Sequence, residues 1–477
     1  MKHLLVLLTL LIFENSYSNI NNVTLRLEWS MHSRFIPDTN FAKNEVTVNG
    51  YNRTGHKYLP SYVHPTGYGL TLKVHVNQNG NMLHPQSFRW EISGMKKEDG
   101  TPNTFSHVIT TNKKILYAGS SMSVDTEPDV QTIPLFTYRG TYKIRIVALA
   151  KGSTPNQPKE IAILDQVIEV KDYLVIVMGD SFASGEGNPD EKGNYDYVFD
   201  DDDATWLEPK ANRSYKGALS IIAAQLEADD PHTAVTFLNV ATSGAKTSHG
   251  LLFQQHPSWQ LKGQIEEVKD YIKDRKVHLV LLSIGLNDLG NTHGMSRLIE
   301  AAANPAPPEF NNHAAYYEAG DIVENISFRY DEVYDKMKKA LNPETVVLFQ
   351  MPVQFMRNES GNLTDGCGLL KLMENEDITR LESIGDKLIQ QQKAACQKFQ
   401  WVYVDGIRDL FKNHGYCAGS ESWFVFINDS IESQGTIEGS IHPNEKGHRM
   451  IAQHAFPIIK SKVQRILVPT RPGRIIK

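Results

Sequence analysis

Leu174-Val175-Ile176-Val177-Met178-Gly179-Asp180-Ser181-Phe182-Ala183-Ser184-Gly185-Glu186-Gly187 joins an unbroken apolar run to a turn of glycines and small polar residues. A short apolar run of this kind reads as a buried strand of an α/β sheet. The turn at its end is where such a sheet presents reactive side chains, because ligands collect at the carboxyl ends of the strands. Ser181 is therefore the first candidate for a nucleophile, although Gly-Asp-Ser alone also reads as an ordinary strand-to-loop turn.

On the C-terminal side, buried strands alternate with amphipathic helices. The strand candidates are Tyr173–Met178, Val235–Val240, Val277–Ile284, Thr345–Met351 and Trp401–Val404. The helix candidates are Tyr215–Ala228, Leu261–Asp274, Phe328–Ala340, Ile378–Phe399 and Glu445–Val463. That alternation predicts a three-layer, doubly wound α/β domain over residues 172–477, with a parallel five-stranded sheet. On the N-terminal side the period drops to two. Leu70, Leu72, Val74 and Val76 alternate with Thr71, Lys73 and His75; Phe88, Trp90 and Ile92 with Arg89 and Glu91; Tyr142, Ile144 and Ile146 with Lys143 and Arg145. Half-wet strands separated by turn clusters predict an all-β, immunoglobulin-like sandwich over residues 19–171, with Trp90 in its core. Such a module reads either as a binder of a glycan or partner or as a scaffold.

Residues 1–18 read as a secretory signal peptide. Lys2 and His3 precede the apolar run Leu4–Phe13, and Ser16 and Ser18 offer small residues for a cleavage site. The run is too short to span a bilayer, and no other approaches ~20 apolar residues, so no membrane-spanning segment is expected. The expected location is secreted or periplasmic. A net charge of −6 with no basic bias points away from nucleic acid as a partner. Of the three cysteines, Cys367, Cys396 and Cys417, any two could pair in an exported chain, and none has metal-ligand spacing. Asn-x-Ser/Thr sequons begin at Asn22, Asn52, Asn212, Asn325, Asn358, Asn362 and Asn428.

Acyl transfer from an ester needs a nucleophile, a base for its proton, and donors aimed at the oxygen that becomes negative. Candidates for each stand at strand ends. Ala241-Thr242-Ser243-Gly244-Ala245 follows the second strand, and Gly285-Leu286-Asn287-Asp288 follows the third. The loop Ile441-His442-Pro443-Asn444-Glu445 precedes the last helix. Singly, Gly244 reads as a turn glycine, Asn287-Asp288 as a helix cap and His442 as a solvated histidine.

Together and in this order the blocks resemble the SGNH hydrolases, or GDSL esterases/lipases, over residues 172–466. The resemblance implies Ser181 as nucleophile and His442 as general base. It implies an oxyanion hole of the Ser181 N–H, the Gly244 N–H and the Asn287 amide, with no cofactor. The expected substrate is a small-molecule, lipid or glycan ester. Hydrolysis is the first reading; a carbohydrate O-acetylesterase, an acyltransferase and a non-catalytic surface-binding protein are the alternatives. His448 reads as helix-face or loop structure, and with no third ligand beside His442 and His448 no metal site is expected.

The sequence departs from the family pattern in two places. Many members carry Asp three residues before the catalytic histidine, where this chain has Gly439. Glu438, one residue further back, is a substitute acid. The surrounding blocks, Gly415-Tyr416-Cys417 and Ser422-Trp423-Phe424 among them, are similar to a secreted branch in which a backbone carbonyl takes the histidine Nδ1–H, so a Ser-His dyad is the preferred expectation. A disulfide common in that branch, from near Ala211–Ser214 to the position of Thr242, is expected to be missing. Residues 289–320 form an insertion beside Asn287 that reads as a lid or a surface excursion. The acidic stretch Asp190–Asp203 reads as a solvated loop, with calcium or sugar contact as the alternative.

Overall fold

The structure is a computed structural model in which the described residues are 17–18, 23–38, 40–78, 85–112, 136–154, 157–195, 203–256, 261–289, 320–350, 357–364, 367 and 375–467. Residues 1–16 of the expected signal peptide, the Asn22 sequon, Asp200–Asp202 of the acidic stretch and residues 290–319 of the insertion lie outside them. No helix among the described residues is long and apolar enough to cross a membrane.

Two compact units divide the chain. The first takes residues up to His32, Thr66–Asp172 and Asp230–Ala234; the second takes Ser33–Pro65, Tyr173–Asp229 and Val235 onward. Sequence alternation assigns all of 19–171 to one domain, whereas Ser33–Pro65 belongs with the second unit. Its Phe35, Phe41, Val48, Tyr51, Tyr58 and Val63 are buried in that unit's core. The segment holds three two-residue strands and the short helix Pro60–Val63, too little regular structure to show a period.

In the first unit, β1 (Val23–Met31) pairs antiparallel with β2 (Leu70–Gln78). β3 (Ser87–Lys97) lies between β4 (Ser106–Asn112) and β5 (Gly140–Thr154), and β5 pairs with the first part of β6 (Gln157–Gly179), all antiparallel. Leu25, Leu72, Val74, Phe88, Trp90, Ile144 and Ile146 share one core. Their chain neighbours Lys73, Arg89, Lys143 and Arg145 stay at least partly exposed, the two-residue period of strands with one wet face.

β6 passes from the first unit to the second at Asp172/Tyr173. Its last residues pair parallel with β8 (Leu279–Ser283), β8 with β9 (Thr345–Phe349), and β9 with β10 (Val402–Tyr403). β7 (Thr233–Asn239) pairs with the other side of β6, giving the order β7-β6-β8-β9-β10. Every residue of β7 and β8 is buried, as in an α/β sheet covered on both faces. A short helix α1 (Ser181–Ser184) follows β6; the longer helices are α2 (Ala218–Asp229), α3 (Gln264–Ile272), α4 (Ser327–Ala340), α5 (Asn375–Phe399), α6 (Ile427–Gln434) and α7 (Glu445–Leu467). α2 packs on α7, while α4 packs on both α3 and α5. Counted from β6, the strand order is 2-1-3-4-5. The chain reverses direction across the sheet beside β6, which opens a crevice at the carboxyl ends of β6, β7 and β8.

Candidate active site

β6 ends in a turn that only glycine fits. Gly179 has φ +130°, and a Cβ there would lie 1.8 Å from the Ser283 carbonyl oxygen. The Gln264 side chain, from α3, fixes this residue at both ends, accepting from Gly179 N–H (2.7 Å) and donating to its carbonyl (2.8 Å). Asp180 N–H donates to Ser283 O at 2.9 Å, the last rung toward β8. Ser181 then opens α1, partly exposed, with Gly185 at φ +94° ending the helix. Asp180 beside it is buried, and desolvation pushes its carboxyl up to about 7, against hydrogen bonds from Ser283 and from the backbone.

Ser243-Gly244 sits in a tight loop after β7. Thr242 N–H donates to Gly179 O (3.1 Å), Ser243 N–H to Ala211 O (3.1 Å), Ala245 N–H to Thr242 O (3.1 Å) and Gln255 Nε2 to Ser243 O (2.8 Å). Gly244 adopts φ +74°, and neither its N–H nor that of Ser181 has an acceptor among the described residues. Asn287 Nδ2 donates to Ala245 O at 3.1 Å. A primary amide carries two hydrogens, so one remains for a ligand. Asp288 accepts from Thr247 N–H (2.9 Å) and also from Thr247 Oγ1. The Ile284 carbonyl, at the root of the Asn287 turn, receives Tyr330 Oη and Gln392 Nε2, each at 3.1 Å. Two strand-end loops are thus tied both to each other and to the helices behind them.

His442 completes the cluster, its Nε2 lying 2.7 Å from Ser181 Oγ. The loop carrying it is anchored by Ile441 N–H to Val425 O (3.0 Å), Val425 N–H to His442 O (2.8 Å) and Asn188 Nδ2 to Pro443 O (2.8 Å). Ile441 has φ +61°, a left-handed conformation rare for a β-branched residue and costing about 1–3 kcal/mol. Strain of that size beside the Ser181–His442 contact marks a loop held in place by its surroundings. Desolvation pushes the His442 imidazole down to about 4, opposed by the backbone of Ser440, Gly439 and Glu438 and then by the Glu438 charge.

Packing around Gly439 accounts for the missing acid. A Cβ on Gly439 would lie 2.6 Å from Gly187 Cα, 2.8 Å from Gln434 Oε1 and 2.9 Å from Ser430 Oγ, so there is no room for a side chain. Glu438 is exposed, and its side chain forms neither a hydrogen bond nor an ion pair with His442; the carboxylate acts on the ring only as a charge. Although the residue as a whole is exposed, partial desolvation of the carboxyl raises it, and the nearby Glu186 raises it further. His442 Nδ1 has no partner in hydrogen-bond geometry among the described residues, and its closest influences are the main-chain carbonyls of residues 438–440.

Several contributors carry no sequence signal of their own. Gln264, Tyr330 and Gln392 read only as polar residues on helices. Glu186 stands inside the opening motif yet is fully buried, accepting from Asn212 Nδ2 (2.6 Å) and Gln434 Nε2 (2.9 Å), with its carboxyl raised by desolvation. His448 is packed away from the cluster. Its Nδ1 accepts Ala218 N–H at 3.0 Å, its ring stacks on Phe182, and burial pushes it down to about 3. Among the described residues, no group of three His, Cys, Asp or Glu is placed to hold a metal. The pairing left open by the sequence is Cys367–Cys417, with Cys396 free and buried.

The model of the GDSL-like lipase/acylhydrolase family matches residues 177–450. No curated protein matches the chain. Among solved structures, it is similar to an extracellular lipase from Streptomyces rimosus, at 19% identity over 61% of this chain and 99% of that one, with a TM-score of 0.41. It is similar to phospholipase A1 from Streptomyces albidoflavus NA297, at 24% identity over 61% and 99%, with a TM-score of 0.39. It is also similar to a family two carbohydrate esterase from Clostridium thermocellum, at 12% identity over 84% and 93%, with a TM-score of 0.30.

Proposed function

The chain belongs to the GDSL-like lipase/acylhydrolase family, and on that footing we propose that it is an exported serine hydrolase cleaving carboxylic esters of a lipid or glycan. The observation that carries this reading is the 2.7 Å contact between Ser181 Oγ and His442 Nε2 at the crevice of the sheet. With the ring held down to about 4, His442 is neutral at neutral pH and its Nε2 is free to accept the serine proton. Ser181 Oγ attacks the ester carbonyl carbon while its proton passes to Nε2. The oxyanion is received by the unclaimed N–H groups of Ser181 and Gly244 and the second amide hydrogen of Asn287. Collapse expels the alcohol, which takes the proton from Nε2 and leaves an acyl group on Ser181. Water, deprotonated by the same Nε2, attacks that acyl carbon; the acyl–Oγ bond breaks, the proton passes from Nε2 back to Ser181 Oγ, and the carboxylic acid leaves.

In this mechanism His442 works as a dyad with Ser181, steadied by main-chain carbonyls of residues 438–440. Export is supported by the leader-like N-terminus and by the Cys367–Cys417 bond, since disulfides persist in oxidising compartments. The first unit is proposed as a β-sandwich accessory module, because its two sheets share one core. The test of the chemistry is a fluorophosphonate probe. We expect it to label Ser181 in the full chain, and Ser181→Ala to lose both labelling and turnover of short-chain nitrophenyl esters. Undiminished turnover in that variant would refute the mechanism.

A further inference from the structure

Residues 33–65 lie outside the family-matched region 177–450, yet they are built into the second unit at the strand that leads to Gly244. β7 is the edge of its sheet, and alternate N–H groups along it are taken by side chains. Val235 donates to Glu227, Phe237 to Tyr62 Oη (3.1 Å) and Asn239 to Tyr58 Oη (2.8 Å). An edge strand covered in this way has no free template for another strand, and its end has a fixed position.

Just past that edge sits Arg213, fully buried. Its Nε donates to Ala241 O at 2.7 Å and its Nη2 to Val240 O at 3.0 Å, the two carbonyls directly before Thr242-Ser243-Gly244. A buried guanidinium needs compensating charge. Glu267 Oε2 stands 3.7 Å from Nη2, and Glu208, also fully buried, is a further charge partner. Glu208 in turn is held by residues of the 33–65 segment: Tyr51 Oη donates to its Oε2 at 2.7 Å, and His56 Nδ1 lies 2.6 Å from the same oxygen. Burial works to raise the Glu208 carboxyl, but Arg213, Tyr51 and His56 outweigh it and hold the group below the usual carboxylate range. It is therefore a charged partner for Arg213.

We propose that the 33–65 segment is a working part of the ester-cleaving site. Tyr51, through Glu208 and Arg213, fixes the Val240 and Ala241 carbonyls and so sets the aim of the Gly244 N–H. Tyr51, Glu208 and Arg213 are positioning residues, and their role rests on the Ser181–His442 reading above. At the place where the resembled branch commonly carries a disulfide between these two loops, expected to be missing here, this chain has a buried ion cluster closed by a segment from outside the matched region.

The test uses the full chain with Tyr51→Phe and the near-isosteric Glu208→Gln, each assayed on a nitrophenyl ester after its active sites have been counted by exhaustive fluorophosphonate labelling. Displacing a catalytic donor by about 1 Å costs on the order of a hundredfold. We therefore expect turnover per labelled site to fall about tenfold to a hundredfold with little change in KM. A purely structural role would lower the number of labelled sites and leave each one turning over at the wild-type rate, and that result in both variants overturns the proposal. If one variant fails to fold, the other decides. A wild-type chain that neither labels nor turns over ester would instead overturn the esterase reading, and this role with it.

Discussion

Replacing Glu438 with glutamine keeps the shape of the side chain and removes the carboxylate that acts on His442. If Glu438 were the orienting acid of a triad, the loss would resemble that of a triad Asp→Asn change, about four orders of magnitude. The geometry predicts far less. Glu438 is exposed, reaches the ring without a hydrogen bond or ion pair, and counts last among the groups that raise its basicity. An exposed charge pair is worth about 0–1 kcal/mol. With about 1.4 kcal/mol per tenfold, that is no more than about a fivefold drop in kcat/KM. The pH effect is small: the carboxylate favours the imidazolium, so any shift is toward lower pH, but the Glu438 carboxyl is itself raised and is mostly protonated where His442, lowered to about 4, titrates. The assay is kcat/KM for a short-chain nitrophenyl ester from pH 3 to 8, with circular dichroism to confirm the fold. A loss above about a hundredfold in a folded Glu438→Gln protein would show that the carboxylate orients the histidine and that the main-chain account is wrong.

The α/β order of the second unit and the gathering of Ser181, Gly244, Asn287 and His442 are legible in the sequence because one rule covers them. Buried strands announce themselves as apolar runs, and the residues just beyond each run lie at the carboxyl edge of the sheet. Contact between Ser181 and His442, far apart in the chain, can be read only through that rule. The features it misses fall into two physical classes. Gln264, Tyr330 and Gln392 act through single hydrogen bonds from helices to strand-end backbone, and no local pattern distinguishes such a residue from any polar residue on a helix. Residues 33–65 are assigned to the wrong domain because their elements are too short to carry a period, so nothing in their alternation reveals which core Phe35, Tyr51 and Tyr58 fill. Helix starts also shift where backbone is already committed. Tyr215, the expected start of α2, donates its N–H to Asp190 (2.8 Å), and α2 begins at Ala218.

Two further predictions bear on the histidine. In the proposed mechanism the neutral form of His442 is the base, and with the ring lowered to about 4 its protonation should reduce kcat/KM only near pH 4. Asp180, raised to about 7 beside Ser181, is a second titrating group, so the profile is also measured in Asp180→Asn, where the limb near 4 should stay in place; a limb near 6.5 that persists in that variant would refute the desolvated ring. Gly439→Asp would restore the acid many relatives carry, and the structure predicts that it fails. The new Cβ would meet Gly187 Cα at 2.6 Å, a backbone contact that no rotamer relieves. Overpacking of this kind costs about 1–3 kcal/mol. The same shift would move Gly187 and the loop after Ser181 away from His442, so the variant should show a lower Tm and lower turnover together. A Gly439→Asp protein as stable as wild type and more active would mean that room for an acid exists, and that this chain lacks it for a reason other than packing.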